Sequence, residues 1–406
     1  MPMTRKETGK TLEEICEVLI SEGLPGVREA IEILINMAMR MEREKAIGAG
    51  PYERTDERRG YANGFKPRVI HTRMGAIEAQ LPQVRGMSFY PQALERGQRS
   101  ERALKVAVAE MYVQGVSTRR VKEVTEVLCG FEISSTDVSR AAAMLDDELS
   151  QWRNRDLGQY SYVYLDARYE KVRQGGVVRD AAVLWAVGVN GAGHREVLGV
   201  SVALSEAEVH WREFLESLKR RGLGGVQLII SDAHTGLAAA RRAVFPGVAW
   251  QRCQFHLSQN AQAYVPRQDM RKQIAQDLRD IFNAPTEETA RTQLTLVCEK
   301  YRKRIPRLAE WLEDNIPEGF AAYAFPRAHH RRIRTSNVME RGNREVRRRT
   351  RVATLFPSEA SCLRLIGSVL MEMHEDWITN KRYLNMQDLT EHLLENEKRI
   401  YRKNVA

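Results

Sequence analysis

Apolar positions along the 406-residue chain change their spacing several times, and each change marks a different kind of element. Ile31, Leu34, Ile35, Ala38 and Met41 recur every three or four residues, which predicts an amphipathic helix with one apolar stripe. Residues 47–64 hold four glycines, a proline and many charges and read as a linker. Residues 68–81 then alternate, with Val69-Ile70-His71 and Ala76-Ile77-Glu78 flanking Met74-Gly75, the pattern of a small hairpin. Helical spacing returns over 102–114, 118–128 and 136–152, separated by Gly115-Val116-Ser117 and Gly130-Phe131-Glu132. Ser117 and Ser135 stand where N-caps belong. Three short helices with a glycine turn match a helix-turn-helix offering Arg119, Arg120 and Lys122 to DNA; a plain helical linker fits the same spacing equally well.

From residue 158 the spacing becomes that of an α/β domain. Strand-like runs fall at 161–166, 181–189, 196–203 and 226–231, with a short one at 248–251. The first three follow one another without a helix, which predicts an antiparallel meander. A helix over 206–221, with Trp211, Phe214, Leu215 and Leu218 on one face, then crosses to a fourth strand that pairs in parallel. This is the ribonuclease H-like order. Residues 257–334 are helical in character, with apolar Ile274, Leu278, Ile281, Leu294, Val297 and Tyr301, and residues 360–377 form a strong amphipathic helix.

Composition narrows the partners. Lys plus Arg total 63 against 53 acids, a net charge of +10, which favours a polyanion. The five cysteines are scattered and odd in number, so no disulfide framework is implied and a reducing cytosol fits. No apolar signal region and no uncharged run near the roughly 18 residues that span a bilayer is present, so a soluble cytoplasmic protein without a membrane partner is expected.

Three acids carry the chemistry. Asp166 ends the run Tyr162-Val163-Tyr164-Leu165, Asp232 ends residues 226–231, and Glu340 opens a helical stretch crowded with arginine. Such carboxylates can meet at one sheet edge and hold two hard divalent ions, the apparatus of phosphoryl transfer on nucleic acids. Each has a plainer explanation: a solvated turn for the aspartates, and for Glu340 a capping box with Asn337. Their joint occurrence in the right strands outweighs those. Nine arginines and no lysine lie between residues 331 and 351. Arg344 and Arg347 share a helical face with Glu340, and Arg348 and Arg351 extend the charge, as contacts to flanking phosphates require. The spacing Cys253-x-x-His256 is half of a zinc site, but a buried thiol and a satisfied imidazole explain it better, and zinc is not expected. His256 and His234, near Asp232, are candidate auxiliary residues.

Four stretches, 164–173 (YLDARYEKVR), 231–237 (SDAHTGL), 253–256 (CQFH) and 336–352 (SNVMERGNREVRRRTRV), resemble the Mutator-type bacterial insertion-sequence transposases, a branch of the DDE transposases. The resemblance covers nearly the whole chain. It implies that Asp166, Asp232 and Glu340 are a catalytic triad holding two Mg²⁺ ions, with Mn²⁺ able to substitute. It further implies DNA cleavage and strand transfer at terminal inverted repeats and target DNA, a homodimer on DNA, and nucleoid association. The implied organisation is a helical and hairpin module at 1–98, a helix-turn-helix-like module at 99–155, the first part of a ribonuclease H-like core at 156–262, an all-helical insertion at 263–332, and the Glu helix with carboxy-terminal helices at 333–406. Two other readings fit the residues: a structure-selective nuclease of the same fold, and a sequence-specific DNA-binding regulator.

Overall fold

Capping serines and positive-φ glycines cut the amino-terminal part into small helical pieces. The computed structural model describes residues 5–53, 55–94, 102–114, 116–351 and 355–405; residues 1–4, Arg54 of the expected linker, the expected module boundary at 98–99, Gly115 and Val352 lie outside them. The chain divides into two units, residues 1–145 and 146–406.

In the first unit, α1 (Arg5–Glu22) and α2 (Val27–Ile47) precede a hairpin of β1 (Tyr61–Thr72) and β2 (Gly75–Arg85). Both strands outrun the expected 68–81, because pairing continues from Thr72↔Gly75 out to Tyr61↔Arg85. The helix α2 forms as expected, but on a shifted face. Ala30, Met39 and Ile47 are its buried apolar residues, while Leu34 and Met41 are exposed. Met39 meets Ile70, Ile77, Ala79 and Leu81 of the hairpin, and that contact selects the face. Next come α3 (Arg102–Val113), α4 (Thr118–Cys129) and α5 (Ser135–Ala143), packed around Leu104, Val108, Val121, Ile133, Val138 and Ala141. Ser117 Oγ caps α4 by accepting from Arg120 N at 3.2 Å. The cap of α5 is Ser134, accepting from Asp137 N at 3.1 Å, and not Ser135.

The expected helix over 136–152 is two helices. α5 stops at Ala143, and α6 (Asp146–Asn154) belongs to the second unit, where Arg364 grips Asp146 at 2.7 Å. Apolar spacing runs through the break, but Asp146, Asp147 and Glu148 gather in the first turn of α6, where the helix dipole favours acids.

The second unit is built on one mixed sheet. Its elements are β3 (Tyr160–Gln174), β4 (Val177–Asn190), β5 (Arg195–Ala203), α7 (Glu208–Arg220), β6 (Leu228–Ser231), α8 (Thr235–Val244) and β7 (Ala249–Arg252). The strand order is β5-β4-β3-β6-β7, with β3, β4 and β5 antiparallel and β6 and β7 parallel to β3. Gly175 and Gly176, both at positive φ (56° and 82°), make the two-residue turn joining β3 to β4. One sheet face buries Val163, Leu165 and Leu184 under Trp211, Phe214 and Leu215 of α7 and Leu237 of α8.

Helices α9 (Gln254–Ala261), α10 (Arg271–Phe282), α11 (Glu287–Arg302) and α12 (Pro306–Asn315) share a separate core of Ile274, Leu278, Ile281, Leu294 and Leu308. The chain returns through α13 (Arg327–Ile333), α14 (Asn337–Thr350), α15 (Glu359–Thr379) and α16 (Met386–Val405). Tyr162 and Tyr164 point to this side of the sheet, bonding His329 Nδ1 at 2.8 Å and Arg332 O at 3.1 Å. Among the described residues no helix is long and apolar enough to cross a membrane.

Candidate active site

Strand register brings the two aspartates together. β3 and β6 pair in parallel through Tyr162↔Leu228, Val163↔Ile229 and Tyr164↔Ile230. The same offset sets Asp166 level with Asp232, the residue after the last of β6. Neighbouring strands run about 4.8 Å apart, so the carboxylates start from adjacent positions. Asp166 does not end its strand: the β3–β4 ribbon continues to Gln174↔Val177, beyond the edge where β6 stops. The polar residues after Asp166 hide this extension, because past β6 the ribbon has lost a neighbour and no longer needs an apolar run.

Asp166 is tightly bound. Oδ1 accepts from Ala167 N at 2.9 Å and Oδ2 from Asn343 Nδ2 at 2.7 Å. Burial pushes its carboxyl up to about 6; the hydrogen bonds and His256 oppose the shift, and Glu206 adds to it. Asp232 is half-buried, and its Oδ1 accepts from Ala233 N at 2.7 Å.

Glu340 sits in the first turn of α14, and three contacts aim that helix. Ser336 is its N-cap residue without a side-chain cap bond, and Asn337 is the first helical residue, so the capping box is absent. The start is fixed instead by the buried thiol of Cys253, whose Sγ accepts from Ser336 N at 3.3 Å. Gly342 lets the helix approach the sheet: a Cβ there would lie 2.2 Å from Cη2 of Trp185, the residue paired with Asp166. Arg168 Nη1 donates to Asn343 O at 2.7 Å. Glu340 is half-buried, and its Oε1 is buried without a hydrogen-bond partner.

This donor set fits a hard divalent cation: the three acids offer only carboxylate oxygen, and the orphaned Glu340 Oε1 needs a positive partner. The three are not drawn onto one point. Asn343 holds one Asp166 oxygen, and among the described residues no group of three or more His, Cys, Asp or Glu side chains stands ready to hold a metal ion.

His256 faces this edge from α9. Its imidazole is pushed up to about 9, by the neighbouring Cys253 thiol first, against burial, with Asp232 and Asp166 adding. The Cys253 thiol is itself shifted down: burial opposes this, and contacts with His256 and Ser336 outweigh burial. Cys253 thus braces the Glu340 helix while His256 turns toward the aspartates. His234 lies 3.8 Å from Glu206 Oε2.

The arginines separate into two groups. Arg344, Arg347 and Arg351 are exposed along the Glu340 stripe, and Arg348, also exposed, pairs with Glu345 at 2.6 Å. Arg349 is buried, bonded to Glu345 at 3.0 Å and to Glu372 at 3.1 Å, and so holds α14 to α15. In the first unit the Arg119 and Arg120 side chains are 90% and 70% exposed, and Lys122 pairs with Glu132 at 2.6 Å.

Two further residues near the acids, Asn343 and Glu206, carry no distinctive signal in the sequence. Asn343 lies three positions past Glu340, a spacing that shares its helical face. Glu206 lies in the connection from β5 to α7, where periodicity carries no signal.

The chain matches a family model described as transposase, Mutator family, over residues 3–380. It is 55% identical over 380 residues to the transposase for insertion sequence element IS406 of Burkholderia multivorans, covering 92% of this chain and 97% of the relative. It is 42% identical over 391 residues to the transposase for ISRM5 of Rhizobium meliloti, covering 96% and 98%. A third relative, the transposase for IS256 in transposon Tn4001 of Staphylococcus aureus, is 36% identical over 363 residues, covering 88% and 93%.

Proposed function

The chain belongs to the Mutator family of transposases, and from that premise we propose that it cuts and joins DNA at the ends of an insertion sequence through one carboxylate site, Asp166, Asp232 and Glu340. The observation that carries this reading is the common strand offset of Asp166 and Asp232, with α14, the helix that bears Glu340, tied to Asp166 through the Asn343 amide. The sheet order supports a ribonuclease H-like domain, and the separate core of α9–α12 supports the all-helical insertion expected at 263–332.

Asp166, Asp232 and Glu340 would hold two Mg²⁺ ions, with Mn²⁺ as a substitute, and these supply Lewis-acid charge at the scissile phosphate. The residues themselves position the reactants. In the first step a water oxygen bonds to phosphorus and the 3′ oxygen of the element end leaves. In the second, that 3′-hydroxyl attacks a target phosphodiester and displaces another 3′ oxygen. Each step trades one P–O bond for another, so no covalent enzyme–DNA intermediate is needed. His256 faces the aspartates and would take a non-bridging phosphate oxygen. Arg344, Arg347 and Arg351 run along the stripe of Glu340, where they would hold flanking phosphates, Arg347 bidentately. Exposed Arg119 and Arg120 on α4, with Lys122, would contact the terminal inverted repeat. Two ends brought together call for a homodimer.

The test is direct. Asp166→Asn, Asp232→Asn and Glu340→Gln each remove a charge at nearly constant volume. Incubated with Mg²⁺, a labelled terminal repeat and a target plasmid, each should lose both cleavage and joining while still shifting end DNA in a gel. Activity above a few per cent in any one strikes that residue from the site. Cleavage without joining by the parent chain would favour the nuclease reading.

A further inference from the structure

The amide of Asn343 makes a direct side-chain bond to a candidate catalytic carboxylate, donating from Nδ2 to Asp166 Oδ2 at 2.7 Å. Its backbone oxygen accepts from Arg168 Nη1 at 2.7 Å, and Arg168 Nη2 pairs with Glu170 at 2.6 Å. Seven residues along the same helix, Thr350 Oγ1 donates to Glu170 Oε1 at 3.2 Å. Seven helical residues rise about 10.5 Å, and the four from Asp166 to Glu170 along a strand span about 13 Å. The helix therefore lies along β3, fastened at Asp166 and again at Glu170. Asn343 Oδ1 is buried without a partner, so no competing bond on that atom turns the amide away from Asp166.

We propose that Asn343 is a positioning residue of the metal-holding site: its amide fixes the Asp166 carboxylate and holds the Glu340 helix where both acids can serve one hard cation. The inference rests on the carboxylate-site reading above. A carboxylate oxygen has two acceptor sites, so the amide can occupy one of Oδ2 and leave the other for an ion. A neutral donor suits this place, because a lysine there would bring a charge that competes with the cation. Hydrogen-bond partners that orient metal-ligating groups typically change metal affinity by about 10- to 100-fold when removed. A tie that merely held the helix to the sheet would alter melting and leave ion affinity in the folded protein untouched.

The experiment titrates the full chain with Mn²⁺ and reads free ion by electron paramagnetic resonance. It compares the parent with Asn343→Leu, Asn343→Ala and Asp166→Asn, alongside thermal melts and gel shifts on the terminal repeat. Asn343→Leu keeps the volume and removes the donor; if it fails to fold, Asn343→Ala decides. The expected result is Mn²⁺ binding weakened by about 10- to 100-fold in both Asn343 variants, with end binding unchanged. Parental Mn²⁺ affinity in a folded Asn343 variant, while Asp166→Asn loses it, overturns the inference and leaves the carboxylate site standing. Parental affinity in Asp166→Asn overturns both.

Discussion

Gly342→Ala isolates the geometry that carries Glu340. The added Cβ would meet Trp185 Cη2 at 2.2 Å, Trp185 Cζ2 at 2.9 Å and Met373 Cε at 3.2 Å. Ordinary contact begins at 3.4 Å, so the helix and the indole must separate by about 1.2 Å. Trp185 is 1% exposed in the middle of β4 and has no open side to move into. The helix must give instead, carrying Glu340 half a turn away with it. Two terms set the stability change. Replacing glycine by alanine inside a helix favours folding by about 1 kcal/mol, and overpacking a filled core costs about 1–3 kcal/mol. The net loss is roughly 0–2 kcal/mol, a few degrees of melting temperature for a unit of this size. Function suffers far more, because misplacing a reacting group by about 1 Å costs on the order of 100-fold in rate. The assay pairs a thermal melt with joining of a labelled terminal repeat in Mg²⁺. Trp185→Phe removes both indole carbons in the clash, so the double variant should recover part of the joining that Gly342→Ala loses. Parental joining by Gly342→Ala at an unchanged melting temperature would refute the close approach and the placement of Glu340 derived from it.

Arg347→Ala should lower joining by about tenfold to a thousandfold, as loss of roughly 1.4–4 kcal/mol of phosphate positioning implies, with the melting temperature unchanged. Arg349→Ala should do the opposite: its ion pairs are buried on one side and part-exposed on the other, so urea denaturation should register a loss of about 1–3 kcal/mol while DNA affinity per folded molecule holds. Cys253→Ala removes the acceptor for Ser336 N and loosens the start of α14, so joining should fall with little change in gel-shift affinity. Burial pushes His374 down to about 4 from an unfolded value near 6.5, with Arg155 adding. The unfolded chain therefore binds the extra proton, and stability present above about pH 6.5 is lost as pH falls toward 4, by no more than about 3 kcal/mol. Denaturation midpoints of the parent and His374→Gln across that window check this; parallel slopes would contradict it.

The sheet was legible because its runs are apolar and bounded, and a meander followed by one crossover helix leaves few arrangements. Asp166 and Asp232 stood out for the same reason, each the first acid after a buried run. What the chain hid were choices made by tertiary contact. Leu34 and Met41 belong to a helical stripe, yet Met39 won the buried face because the hairpin packs there. The residues from 136 to 152 keep helical spacing across a break at Met144-Leu145, beyond which Arg364 holds Asp146 in the second unit. Glu340 looked like part of a capping box because its spacing from Asn337 is right, while the cap residue is Ser336 and its anchor is a thiol 83 residues earlier. Nine arginines in one stretch read as one charged surface, and burial removes Arg349 from it.

Iron-directed cleavage of the protein backbone tests the central claim, that acids from two strands and a helix form one cation site. Fe²⁺ in place of Mg²⁺, with ascorbate and peroxide, generates hydroxyl radicals that cut the chain beside the bound ion. The expected fragments end near residues 166, 232 and 340, all suppressed together by excess Mg²⁺ and all lost in Asp232→Asn. Cuts confined to one of the three segments, or cuts that Mg²⁺ leaves in place, would contradict it.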